Sequence, residues 1–192
     1  MAVRNRVFPR FGLPTITSIA TYQSQFTFPV RLYYERAGVT DEMFNDVAHA
    51  WMDEYMRGCG EVPLHIHAME ALQAFQTHGM EQVILSASQK DILESQLAQY
   101  GIRSYFKAVL GLGHIYATSK TDLGLSYIKR EGIAPETCVL LGDTLHDAQV
   151  AREMGADCIL IACGHQGEAQ LQGAGVPVCA SLEEAMMLVL GR

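Results

Sequence analysis

The chain has 192 residues, almost half of them hydrophobic, and its formal net charge is -7. This composition supports a packed core and excludes general disorder, and the acidic balance without a Lys/Arg cluster argues against nucleic-acid binding. No apolar run approaches the length of a membrane span and no apolar signal segment follows the basic start, so we expect a cytoplasmic protein.

The cysteines are five in number and scattered along the chain. No Cys-x-x-Cys pair occurs, and three of the five fall in predicted buried strands. These features favour reduced thiols that act as small hydrophobic side chains, rather than disulfides or a zinc site. The cysteines are Cys59, Cys138, Cys158, Cys163 and Cys179.

The first third of the chain, residues 1–61, predicts an all-helical unit. Four helical segments are separated by glycine and proline, and Thr40 is the predicted N-cap of the fourth. Thr15 to Tyr22 is rich in β-branched residues, so a strand is an alternative to a helix for this segment. We expect mainly helix-packing surface here, with a cap that closes over a site as the functional alternative.

Residues 62–192 predict an α/β core, because strands and amphipathic helices alternate. This order is typical of right-handed crossovers and a doubly wound parallel sheet covered on both faces. Pro177 places the last strand at a sheet edge. The predicted strands are 83–85, 108–110, 139–141, 158–162 and 176–179, and the predicted helices are 69–78, 89–100, 120–130, 145–154 and 181–190.

The most informative stretch follows the strand at 139–141, where Gly142-Asp143 ends an apolar run. Asp143 then stands at the carboxyl end of a strand, where open α/β sheets place their ligand sites. Asp147 lies on the first turn of the next helix, so both carboxylates can face one point and suit a divalent cation such as Mg²⁺. The structural alternative is that Asp143 starts a turn and Asp147 complements the helix N-terminus.

Two further polar positions lie at strand or helix ends. Ser86 ends the strand at 83–85, and a hydroxyl beside free N–H groups at a helix start forms a phosphate-sized anion site. Alone, Ser86 and Ser88 favour simple helix capping. Lys120 lies at a helix start, where it opposes the helix dipole unless an anion is present; alone, it favours an ordinary solvated lysine.

The histidines lack the spacing of metal ligands. His146 lies between the two acidic positions but would point away from their shared face, and His114 and His165 follow strand-like runs. We interpret them as surface or hydrogen-bonded residues rather than ligands.

Taken in order along the chain, these signals resemble the haloacid dehalogenase-like hydrolases, and most closely their phosphoglycolate-phosphatase-like branch. Leu85-Ser86-Ala87-Ser88 resembles the second motif of that family, Ser119-Lys120 the third, and the stretch from Gly142 to Asp147 the fourth. The helical first third resembles the family's cap.

The resemblance implies a phosphatase that acts on a small phosphorylated metabolite with Mg²⁺, as a monomer or homodimer. Ser86, Lys120 and Asp143 would be catalytic, with Ser86, Ala87 and Lys120 binding phosphate. Asp143 and Asp147 would bind the metal. An unrelated doubly wound domain in which the two aspartates only bind Mg²⁺ is a weaker alternative.

The family's first motif, Asp-x-Asp, occurs nowhere in the 192 residues. The resemblance places it on a central strand between those that carry Ser86 and Asp143, so its absence would leave two unpaired inner edges. We expect an N-terminally shortened family member with little or no turnover. Two alternatives stay open: Thr15 to Tyr22 or another segment fills the vacant place, or the chain is a non-catalytic protein that binds phosphate or a partner.

Overall fold

The computed structural model describes residues 1–58, 62–113 and 119–191. Cys59 and His114, which were considered above, lie outside these ranges. Four helices make up the first part of the chain, and a short 3-10 helix, Phe8–Phe11, follows the first of them. They are α1 (Ala2–Val7), α2 (Ile19–Gln25), α3 (Val30–Arg36) and α4 (Asp41–Gly58).

These four helices have a hydrophobic cluster of their own. Its fully buried members include Val7, Phe8 and Val47, around which Tyr34 and Val39 complete the buried set. The helical character predicted for this part is therefore confirmed, and its helices pack around one buried apolar cluster. The division into a cap over 1–61 and a core over 62–192 stays a prediction.

The rest of the chain alternates strands and helices as the sequence predicted. The elements are α5 (Ala68–Thr77), β1 (Gln82–Gln89), α6 (Lys90–Gln99), β2 (Phe106–Leu112), α7 (Lys120–Glu131), β3 (Val139–Gly142), α8 (Leu145–Met154), β4 (Asp157–Ile161), α9 (Glu168–Leu171), β5 (Val178–Cys179) and α10 (Leu182–Leu190).

Among the described residues all strand pairs are parallel, and they form two sheets rather than one. β1 pairs with β2, and β4 lies between β3 and β5. In the larger sheet Leu140 lies opposite Cys158, and Ile161 lies opposite Cys179. The predicted α/β class is confirmed, and β5, which Pro177 precedes, is an edge strand of its sheet, as predicted.

Helices cover both faces of the two sheets and bridge them. On one face, a cluster that contains Tyr127 of α7 and Val150 of α8 packs against Leu85 of β1 and Leu140 of β3. On the other face, α5 contributes Phe75 to the cluster beside β3 and β4. The helical layers are therefore continuous, whereas the strand layer between them is interrupted.

That interruption lies between β1 and β3. Among the described residues no strand pairing joins these two strands. The four residues of β3 are only half-buried, whereas Cys158 to Ile161 of β4 are at most 8% exposed. Within the described ranges, β1 and β3 are therefore each paired along one edge only. That a central strand is missing between them stays a prediction.

The alternative in which Thr15 to Tyr22 fills this place is wrong. Residues 15–18 have no regular structure, and the Ser18 hydroxyl accepts a hydrogen bond from the Thr21 N–H at 3.1 Å. This N-cap starts α2 at Ile19, and the cap contact outweighs the strand preference of the β-branched residues. None of the described helices is both long and apolar enough to cross a membrane.

Candidate functional site

The site begins where β3 ends, at a helix start with reciprocal capping. The Thr144 hydroxyl accepts from the Asp147 N–H at 3.3 Å, and Oδ2 of Asp147 accepts from the Thr144 N–H at 3.0 Å. The same oxygen accepts from the Asp143 N–H at 3.1 Å and from the Thr144 hydroxyl at 2.7 Å. Asp147 therefore does cap its helix, as the structural alternative proposed, but that is only part of its role.

Gly142 permits this close packing. A Cβ atom on Gly142 would lie 2.3 Å from the Cβ of Asp147 and 2.7 Å from its Oδ2. Real side chains do not approach so closely, so the glycine that ends the strand is also the residue that lets Asp147 fold back over it.

Lys120 contacts Asp147 directly. It is the first residue of α7, whose N-cap Ser119 forms a capping box with Asp122, and its Nζ forms an ion pair with Oδ1 of Asp147. The two side chains are only 14% and 7% exposed. Lys120 is thus not an ordinary solvated lysine.

The ion pair sets the charge state of Asp147. Burial by itself raises the pKa of Asp147. The positive charge of Lys120, together with hydrogen bonds from Lys120 and Thr144, outweighs burial and holds the pKa of Asp147 below its ordinary value. Both oxygens of this carboxylate are therefore occupied by protein donors, with the charge retained.

Asp143 is held from the other side by the loop that follows β4. The His165 backbone N–H donates to Oδ2 of Asp143 at 2.6 Å. A Cβ on Gly164 would lie 2.0 Å from the same oxygen, so the loop can approach Asp143 only with glycine at this position. The carboxylate is half-buried and its orientation is fixed by a backbone donor.

Sequence reasoning missed His165 and its partner in the helical part. The Tyr22 hydroxyl lies 2.6 Å from Nδ1 of His165, and the Phe26 ring stacks on the imidazole with centroids 4.4 Å apart. Burial, with Tyr33 and Asp143 nearby, raises the pKa of Tyr22, so its phenol is neutral and can donate. The available signal was that His165 follows β4 as Asp143 follows β3, which places both at one sheet edge.

Ser86 is half-buried near the end of β1, and Ala87 is exposed. The Ser86 hydroxyl accepts from the Ser88 N–H at 3.1 Å. The expectation that these serines cap α6 is wrong, because β1 continues to Gln89 and that residue is the N-cap, without a side-chain cap bond.

The structure brings Lys120, Asp143 and Asp147 together, whereas Ser86 shares no hydrogen bond with them among the described residues. Helix α7 is one link between them: a Cβ on Gly124 would lie 3.2 Å from the Leu85 side chain. Leu85, the residue before Ser86, therefore packs against α7, and Lys120 is the first residue of that helix. A shared pocket for Ser86, Ala87 and Lys120 stays a prediction.

The donor set suits Mg²⁺. Hard carboxylate oxygens are present, and Mg²⁺ is commonly held by one or two carboxylates, with water and substrate phosphate completing its shell. Within the described ranges no group of three or more His, Cys, Asp or Glu side chains forms a complete protein cage. Asp143 is the carboxylate better placed to take the ion, because Lys120 and Thr144 already occupy Asp147.

The chain is similar to known phosphatases over much of its length. It is 28% identical over 142 residues to the phosphoglycolate phosphatase of Thiobacillus denitrificans, covering 70% of this chain and 63% of that protein. It is 33% identical over 75 residues to the fructose-1-phosphate phosphatase of Escherichia coli, covering 38% of this chain and 40% of that protein. The chain thus spans less than two thirds of either curated relative.

The fold has close counterparts among solved structures. The crystal structure of a predicted phosphatase from Clostridium acetobutylicum superposes with a TM-score of 0.82 at 16% identity, over 100% of this chain and 90% of that one. At this level of sequence identity, the match shows that the folds are similar and nothing about function. The family model for haloacid dehalogenase-like hydrolases matches residues 1–161, which is most of the chain. The chain therefore belongs to the haloacid dehalogenase-like hydrolases.

Proposed function

We propose that this chain carries the phosphate- and metal-binding part of a phosphatase that acts on a small phosphate monoester with Mg²⁺, in the manner of phosphoglycolate phosphatases. The observation that carries the proposal is the buried Lys120–Asp147 pair beside Asp143 at the end of a parallel strand. The two relatives named above, a phosphoglycolate phosphatase and a fructose-1-phosphate phosphatase, support the same reaction class.

Each residue has a separate task in this proposal. Lys120 and the Ser86 hydroxyl, with the backbone at Ala87, hold the oxygens of the transferring phosphoryl group and offset its charge. Asp143 holds Mg²⁺, which when bound would stabilise charge on a phosphate oxygen as a Lewis acid. Asp147 keeps Lys120 in place and would be the second residue to hold the metal, directly or through water.

The nucleophile is the part that the 192 residues do not contain, because they hold no Asp-x-Asp motif. The family resemblance puts that motif on a strand between β1 and β3, and the lack of any pairing between these two strands in the described part of the chain supports this assignment. An aspartate oxygen there would attack phosphorus while the bond to the leaving oxygen breaks. Water would then hydrolyse the acyl-phosphate.

We expect the chain alone to bind phosphate in the presence of Mg²⁺ but to hydrolyse p-nitrophenyl phosphate at little above the uncatalysed rate. Calorimetric titration with inorganic phosphate, with and without Mg²⁺, tests the binding, and release of p-nitrophenol tests turnover. Lys120→Met should abolish phosphate binding. Lys129→Met, an exposed lysine on the same helix, is the matched control and should leave it unchanged.

Two outcomes would contradict this proposal. Equal phosphate binding by the Lys120 and Lys129 variants would remove Lys120 from the site. Magnesium-dependent turnover at a rate usual for such enzymes would show that the missing aspartate is not needed.

A non-catalytic binding protein is the second candidate, and the absence of Asp-x-Asp from the sequence favours it. Both candidates predict that the chain binds phosphate. Only the enzyme requires a further strand that carries the Asp-x-Asp motif. The genomic sequence upstream of Met1 separates the two: in-frame Asp-x-Asp codons after an apolar run favour the enzyme, and their absence favours the binding protein.

A further inference from the structure

One loop, residues 163–167, contacts both the helical part of the chain and the Asp143 carboxylate. Toward the helical part, Nε2 of Gln23 donates to the Gly164 carbonyl at 3.0 Å, and the Tyr22 hydroxyl bonds the His165 ring at 2.6 Å. The ring of Phe26 lies almost parallel to that of His165, at an interplanar angle of 17°. Helix α2 is therefore docked onto this loop by three side chains: Tyr22 and Gln23 within the helix, and Phe26 at its C-cap.

On the side of the site, the same loop contacts Asp143: the backbone N–H of His165 donates to its carboxylate. The imidazole and the backbone N–H of His165 thus point to different partners, Tyr22 on one side and Asp143 on the other. The imidazole and the N–H belong to one residue, so the contacts that hold the His165 ring also restrain the peptide that donates to Asp143. The backbone of the preceding residue packs closely on the same carboxylate, because a Cβ on Gly164 would lie 2.0 Å from Oδ2 of Asp143.

A second link runs in parallel through Gln166, which is 4% exposed. Its Oε1 accepts from the Leu145 N–H at 2.7 Å, at the start of α8, and its Nε2 donates to the Phe26 carbonyl at 3.4 Å. The end of α2 is therefore connected to the two segments that carry the acidic residues, one through His165 and one through Gln166.

We infer that Tyr22 is a positioning residue for Asp143, acting through His165, so that cation binding at Asp143 and docking of α2 stabilise each other. The inference rests on the proposed function only in taking Asp143 as the cation ligand. Because binding free energies are reciprocal, a cation that prefers the fixed carboxylate must favour the docked helix, and a docked helix must raise cation affinity. The effect should have the size of one hydrogen bond.

The test compares two tyrosines that each join the helical part to the α/β part. Tyr22→Phe removes the hydroxyl that bonds His165. Tyr55→Phe removes the hydroxyl that accepts from Nε2 of Gln96 at 2.8 Å, a contact between α4 and α6 that does not involve the loop. Calorimetric titration of the full chain with Mg²⁺ alone should give about a 2- to 12-fold higher Kd for Tyr22→Phe, and an unchanged Kd for Tyr55→Phe.

Amide hydrogen exchange gives the reciprocal readout on the unmodified chain. Mg²⁺ should slow exchange in α2, and the slowing should disappear in Asp143→Asn. This arm needs no Tyr22 variant, so it remains decisive if Tyr22→Phe unfolds.

The results separate the inference from the proposed function. If the unmodified chain binds Mg²⁺, but Tyr22→Phe binds it equally well and α2 exchange does not respond, the coupling is absent while the metal site stands. If the unmodified chain binds no Mg²⁺, both the metal site and the coupling are refuted.

Discussion

The buried pair of Lys120 and Asp147 gives the sharpest prediction for stability. Their side chains are 14% and 7% exposed, so removal of one partner leaves an almost fully desolvated charge. Such a change costs about 3–5 kcal/mol in the free energy of unfolding. Lys120→Met should fall near the lower figure, because Asp147 keeps its donors from Asp143 and Thr144.

Asp147→Ala should fall near the upper figure or beyond it. It leaves the Lys120 ammonium unpaired and also removes the acceptor of the donors at Asp143 and Thr144. The double variant Lys120→Met/Asp147→Asn should lose less free energy of unfolding than Lys120→Met and Asp147→Asn lose in sum. The difference should be roughly 0.5–3 kcal/mol, because neither charge is left without its partner.

Urea denaturation with linear extrapolation measures these free energies. Lys107→Met is the control: Lys107 also forms an ion pair, with Glu81 at 2.7 Å, but those side chains are 43% and 61% exposed. Exposed pairs contribute little, so this variant should match the unmodified chain within error. The reasoning is refuted if Lys120→Met is no more destabilising than Lys107→Met, or if the double variant is strictly additive.

Three further predictions concern the site and its frame. Gly164→Ala should lower Mg²⁺ affinity at least about tenfold in calorimetry, because its Cβ would meet Asp143 at 2.0 Å; an unchanged Kd would contradict this. Ser181→Ala should cost about 1 kcal/mol in urea denaturation, since the hydroxyl accepts from the N–H of Glu184 and caps α10; no loss would contradict it. The lowered pKa of Asp147 means that its charge stabilises the fold above the ordinary aspartate pKa of about 3.9. The advantage of the unmodified chain over Asp147→Asn should therefore be constant from pH 7 down to about 5, and should be lost progressively as the pH falls further, through the lowered pKa of Asp147.

The α/β alternation and the acidic motif could be predicted because their causes are local. Apolar runs of three to five residues set the strands, and the spacing of Thr144 and Asp147 is that of a capping box. The position of Asp143 followed from the general placement of ligand sites at strand ends. These features need no knowledge of what packs against them.

The contacts that the sequence did not reveal are long-range. Tyr22 and His165 are separated by 143 residues, and nothing near either residue signals the other. The histidines were set aside for lack of ligand spacing, but His165 contributes through its backbone N–H, which no side-chain pattern reports. The end of β1 was placed too early, because Ser86 to Gln89 extend the strand beyond its apolar run.

A structure of the chain with Mg²⁺ and inorganic phosphate tests the central claim most directly. We predict an ion at about 2.0–2.1 Å from a carboxylate oxygen of Asp143, and a phosphate held by both the Ser86 hydroxyl and the Lys120 ammonium. A phosphate bound elsewhere, or one that reaches Lys120 while Ser86 faces away from it, would contradict the account.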